Sequence, residues 1–136
     1  MIKKVSHIGI AVKNLEEAIE TWTKLGLTVE AIETVESQKV RVAFLPVGEE
    51  VRIELLEPTS EDSPIARFID KKGAGIHHLA LATDDVVNEI KSAEDEGLRL
   101  IDKVPRPGAH DASIAFLHPK AMAGVLLELC QEKHDH

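Results

Sequence analysis

The sequence predicts an α+β fold made of two tandem βαβββ modules, whose strands form a curved, partly open mixed sheet around a cleft with the helices outside. Three observations predict it. Ser6-His7-Ile8-Gly9-Ile10-Ala11-Val12 and His77-His78-Leu79-Ala80-Leu81-Ala82-Thr83 share one pattern at an offset of 71, from 7 to 78. The same offset relates Leu15 to Val86, Ile19 to Ile90, Gly26 to Gly97 and Leu27 to Leu98. Near the end of each half, Val51-Arg52-Ile53-Glu54-Leu55 corresponds to Val125-Leu126-Leu127-Glu128-Leu129 at an offset of 74, from 54 to 128. A pattern that persists through a strand, a helix and later strands is one supersecondary unit used twice. The three residues gained by the second half fall in the 105–111 loop.

Each element follows from local chemistry. In the first half Asn14 caps a helix whose apolar positions Leu15, Ala18, Ile19, Trp22 and Leu25 keep helical spacing, with Glu16 and Glu17 in the first turn and Gly26 as its stop. The second helix repeats the scheme: Asp84 or Asp85 caps it, Val86, Val87, Ile90 and Ala93 point inward, and Gly97 ends it. Between the halves, residues 58–64 read as a turn-rich connector and 65–72 as a short linking helix, after which Gly73 and Gly75 lead into a strand. The chain therefore reads as one domain, 1–136, with module 1 at about 1–58, a linker at about 59–73 and module 2 at about 74–136.

At 136 residues, one domain can bury a continuous core without disulfides. Cys130 is the single cysteine, and the Met1-Ile2-Lys3-Lys4 start is read as leading into a strand and not a signal sequence, so a reducing cytoplasm is expected. No apolar run approaches the ~20 residues of a membrane-spanning helix. A net charge of -8 repels phosphate backbones, and 3% aromatics without tyrosine leaves few stacking platforms, so nucleic-acid binding is not expected.

Alternation along a strand places His7 on the face of Val5, Gly9 and Ala11, and His78 on that of Ile76, Ala80 and Ala82. Both histidines thus have small neighbours, which leaves room for a ligand. The strands at 51–56 and 125–130 each carry one carboxylate in an apolar run, Glu54 and Glu128. Burying a carboxylate costs roughly several kcal/mol unless a cation or donors compensate. Singly, a strand histidine is usually a core or rim residue, and Glu54 beside Arg52 reads as a solvated ion pair. Duplication changes the weighing: one imidazole and one carboxylate per half suit a six-coordinate divalent cation, with two positions left for water or substrate.

The motifs His7-Ile8-Gly9-Ile10 and His78-Leu79-Ala80-Leu81, with Glu54 and Glu128, resemble the vicinal oxygen chelate (glyoxalase/dioxygenase-like) superfamily. Narrower segments resemble the methylmalonyl-CoA epimerases within it: Glu54-Leu55-Leu56-Glu57-Pro58, Asp62-Ser63-Pro64-Ile65-Ala66, Gly75-Ile76-His77-His78, Ile114-Ala115-Phe116-Leu117-His118-Pro119-Lys120 and Gly124-Val125-Leu126-Leu127-Glu128-Leu129. The resemblance implies that His7, Glu54, His78 and Glu128 hold the metal, Co2+ first and Mn2+, Ni2+, Fe2+ or Zn2+ as alternatives. It implies an acyl-CoA substrate, a homodimer, and interconversion of (2R)- and (2S)-methylmalonyl-CoA by proton abstraction through a metal-stabilised enolate. Proton carriers are needed on both faces of the planar intermediate. The glutamate that some relatives carry as a base falls near Val42, which transfers no proton, so Glu128 is the expected catalytic group, with water or Glu36 as weaker candidates.

Other residues have plainer readings. Lys120 and Arg106 are candidate contacts to phosphate or carboxylate groups, and His110 is a loop histidine near the cleft. His77 belongs to packing or a subunit contact, Trp22 to the core, and His134 and His136 to a frayed terminus. A glyoxalase I-like lyase would use the same four ligands, and a non-catalytic ligand-binding protein would bind without proton exchange. An extradiol dioxygenase normally takes two histidines and one carboxylate, one ligand fewer than this chain offers.

Overall fold

The computed structural model describes residues 1–133; the expectation for His134 and His136 lies outside them. Eight strands and three α-helices alternate as the repeat requires: β1 (Ile2–Ala11), α1 (Leu15–Thr23), β2 (Ala31–Val35), β3 (Val40–Val47), β4 (Val51–Pro58), α2 (Pro64–Lys72), β5 (Gly75–Thr83), α3 (Val86–Asp95), β6 (Arg106–Pro107), β7 (Ser113–Leu117) and β8 (Leu127–Gln131). The mixed α+β class and the twofold β-α-β-β-β order are those the sequence predicts. The strands follow the order β2-β3-β4-β1-β5-β8-β7-β6 in one sheet. Among the described residues no helix is long and apolar enough to cross a membrane.

By contact the chain groups into two units, residues 7–77 and residues 1–6 with 78 onward. In the first, β1 runs parallel to β4 with Gly9 opposite Glu54, and β3 runs antiparallel to β4 with Phe44 opposite Glu54. Helix α1 starts because the Asn14 side chain accepts a hydrogen bond from the Glu17 backbone N–H at 2.9 Å, a cap worth about 1 kcal/mol. It buries Leu15 against Ile10, Val12, Ala43, Leu45 and Leu55, with Ala18, Ile19 and Trp22 packed on that cluster. Leu25 does not join them. The helix ends at Thr23, and Leu25 is 78% exposed in the turn before Gly26, whose φ of 92° only glycine adopts without strain.

The other unit repeats these relations. Ala80 lies opposite Glu128 on the parallel β5/β8 pair, and Phe116 lies opposite Glu128 on the antiparallel β7/β8 pair. Asp85, not Asp84, caps α3, accepting from the Asn88 N–H at 3.0 Å. Val86, Ile90 and Ala93 pack on Ala115, Leu117, Leu127 and Leu129. Val87 is a correction: it is 63% exposed, because the turn after Val86 carries it round to solvent.

Three boundaries also differ from expectation. The 105–111 segment is not a plain loop: Arg106–Pro107 pairs with Ile114 and Ser113, and residues 109–111 form a tight turn with left-handed backbone at His110 and Asp111, φ 56° and 58°. The strand carrying Glu128 begins at Leu127, two residues late, because Gly124 at φ 97° and the turn before it occupy the approach. The linking helix starts one residue early, at Pro64, where a proline costs no hydrogen bond, with the Ser63 side chain accepting from the Ile65 N–H.

Candidate metal centre

In each unit one sheet face packs on α1 or α3 and the opposite face carries the candidate ligands. In residues 7–77 the register places Gly9, Glu54 and Phe44 in one row across β1, β4 and β3. His7 stands two residues before Gly9 on the same face, diagonal to Glu54, and its Nδ1 lies 3.2 Å from Glu54 Oε2. The same oxygen accepts a hydrogen bond from Arg52 Nη2 at 3.2 Å. Arg52 in turn lies 5.8 Å over the Phe44 ring. The ion pair between Arg52 and Glu54 is therefore real, but it is not solvated: Glu54 is 4% exposed.

The second unit has the matching row, Ala80, Glu128 and Phe116. His78 Nε2 lies 3.3 Å from Glu128 Oε1, and both are buried. The Phe116 ring meets His78 edge-on at 5.7 Å, and Arg106 lies 4.9 Å over the same ring while pairing with Asp102 at 3.2 Å. Asp102 also accepts from the Phe116 backbone N–H at 2.9 Å. The small residue beside each carboxylate, Gly9 or Ala80, keeps the strand from filling the space in front of it.

Ligand atoms of His7, His78 and Glu128, all buried, lie within 4.8 Å of one another. Glu54 is not in that group of three and stands beside it through its contact with His7. The donor set fits a first-row divalent cation. With bonds of about 2.1 Å, adjacent donors on one ion stand ~3 Å apart and opposite donors ~4.2 Å apart. The two imidazole–carboxylate separations of 3.2 and 3.3 Å match adjacent donors.

Among the other expected residues, His77 packs edge-on against Phe68 of α2 at 4.9 Å, as its face predicts. Lys120 is exposed, its backbone N–H donating to His118 Nδ1 at 3.0 Å within a 3-10 turn. Burial, then the charges of Arg99 and Lys120, hold the His118 imidazole below its usual range. His110 is exposed with φ 56°. Sequence reasoning missed Phe44 and Phe116 as a duplicated pair. An offset of 72, from 44 to 116, was the available signal, but it lies between two different offsets and marks residues with no evident chemistry.

A duplicated strand-helix unit that brings buried imidazoles and a carboxylate together is the architecture of a metal-site superfamily. The chain belongs to the glyoxalase/bleomycin resistance protein/dioxygenase superfamily, whose family pattern matches residues 6–116. Within it, the chain is 39% identical to the mitochondrial methylmalonyl-CoA epimerase of Dictyostelium discoideum over 94% of this chain and 78% of that protein. It is 37% identical to the ethylmalonyl-CoA/methylmalonyl-CoA epimerase of Cereibacter sphaeroides, over 96% of this chain and 99% of that one. The solved Streptomyces coelicolor methylmalonyl-CoA epimerase in complex with 2-nitronate-propionyl-CoA matches with a TM-score of 0.94 at 36% identity, covering 98% of this chain and 100% of that one.

Proposed function

We propose that this protein is a metal-dependent epimerase interconverting (2R)- and (2S)-methylmalonyl-CoA. The observation that carries the reading is the buried group His7, His78 and Glu128, in a chain whose relatives are methylmalonyl-CoA epimerases over nearly its full length. His7, Glu54, His78 and Glu128 are the proposed ligands, with Co2+ as the proposed ion. When bound, the ion supplies Lewis-acid stabilisation of charge developing on a thioester oxygen, worth several kcal/mol.

The chain's own residues supply the rest. Gly9 and Ala80 leave space for a branched acyl group at the ligand face. Arg52 holds Glu54 by a charge-assisted hydrogen bond, so that carboxylate has one orientation. Glu128 takes or gives the C2 proton on one face of the planar intermediate, a task of general acid–base type worth roughly 100-fold or more. A homodimer is proposed because β2 and β6 end the sheet order with unpaired edges. Cys130, buried and in no disulfide, suits the reducing cytoplasm, the proposed compartment.

The test is incubation of the metallated protein with methylmalonyl-CoA of one configuration in deuterium oxide. Inversion with deuterium at C2 is expected. No incorporation removes the epimerase reading and leaves a binding protein, whereas turnover of a thiol adduct in place of methylmalonyl-CoA would assign a glyoxalase I-like lyase.

A further inference from the structure

Inversion at a carbon needs a proton carrier on each side of the planar intermediate, and Glu128 accounts for one. The sheet faces that carry ligands are the first place to look for the second. In residues 1–6 with 78 onward, the ligand face of β5, β8, β7 and β6 bears His78 and Glu128 as ligands, Arg106 as a permanent cation, and the Cys130 thiol. That thiol is sealed among Ala80, Ala112, Ile114 and Phe116. In residues 7–77 the ligand face of β1, β4 and β3 bears His7, Glu54 and the permanent cation Arg52, with only apolar side chains beyond Glu54: Ala11, Leu56, Val42 and Phe44.

The edge strand supplies the missing group. Glu33 of β2 lies directly opposite Val42, which lies directly opposite Leu56, so Glu33, Val42 and Leu56 form the row next to Ala31, Phe44 and Glu54. Directly opposite residues point to the same face with Cβ atoms ~5 Å apart. Glu33 is thus the one strand-borne carboxylate, among the described residues, that shares a ligand face without being a proposed ligand. Glu57, the other acidic residue of β4, points to the helix side and accepts from the Leu15 N–H at 2.8 Å.

We infer that Glu33 is the second proton carrier of the reaction, reaching over the short side chain of Val42 to the substrate carbon. Two strand spacings and two residues separate Glu33 from Glu54, roughly 10 Å across and ~7 Å along the sheet. The proton balance is closed: Glu128 and Glu33 exchange roles as acid and base between the two directions, each ending a turnover in the other's starting state and resetting through water. The inference rests on the epimerase reading.

The experiment is Glu33→Gln as metallated enzyme, assayed separately with (2R)- and (2S)-methylmalonyl-CoA in deuterium oxide, with metal content by elemental analysis. Expected is a loss of inversion of roughly 100-fold or more, unchanged metal content, and retained deuterium wash-in to one configuration only, since Glu128 still removes and returns a proton on its own side. Inversion at the unsubstituted rate, or equal loss of wash-in for both configurations, overturns the inference. If the unsubstituted enzyme neither inverts nor incorporates deuterium, the epimerase reading fails and this inference falls with it.

Discussion

Glu128 carries two proposed tasks, ligand and proton carrier, and one substitution separates them. The Glu128→Gln amide keeps size and one oxygen donor but has no proton to exchange at neutral pH. Turnover is expected to fall by about 100-fold or more with metal content intact by elemental analysis; unchanged turnover would exclude Glu128 as the carrier. At this scale the sequence exposed what duplication marks. Glu54 and Glu128 stand at matching places in apolar runs, and their burial follows from their neighbours. Arg52 was visible as a partner of Glu54, but its placement over the Phe44 ring depends on a cross-strand neighbour that sequence distance does not reveal. Glu33 was illegible for the same reason: its importance is a matter of register with Val42, nine positions away across a turn.

The elements differ in how much of their limits is local. Both helix starts were legible because a cap is a contact over three residues: Asn14 to Glu17, and Asp85 to Asn88. Leu25 and Val87 were misplaced because helical spacing alone does not say where the last turn opens or how wide the buried stripe is. The connector between β4 and α2 shows electrostatics at this scale. Lys39, in left-handed conformation at φ 54°, forms an ion pair with Asp62, which also accepts from Ser60 at 2.5 Å. The Lys39 hydrogen bond first, then that of Ser60, lowers the Asp62 carboxyl from its ordinary 3.8 to about 2. A depressed folded-state value stabilises above the unfolded value and is lost as pH falls through the folded one. The contribution is therefore complete above about pH 4 and gone near pH 2. Thermal melts of Lys39→Met should lie below the unsubstituted protein at neutral pH, with the difference closing between pH 4 and pH 2; a constant difference would contradict this assignment.

In the whole molecule, the repeat is expressed in registers more faithfully than in residues. Gly9 opposite Glu54 becomes Ala80 opposite Glu128, and Phe44 opposite Glu54 becomes Phe116 opposite Glu128. This preserved pairing explains why a single sequence disclosed both the fold class and the candidate ligands: self-comparison located the strands, and strand alternation selected their faces. The grouping of residues 1–6 with 78 onward was not legible, because no local property of β1 marks where its contacts change partners. The proposed chemistry depends on a cation at the buried donors. Deuterium incorporation at C2 of methylmalonyl-CoA, followed as the protein is stripped with a chelator and then reloaded with Co2+, tests that dependence most directly. One ion bound per chain, with exchange lost on stripping and restored on reloading, is the result predicted; exchange that continues undiminished in the stripped protein would contradict it.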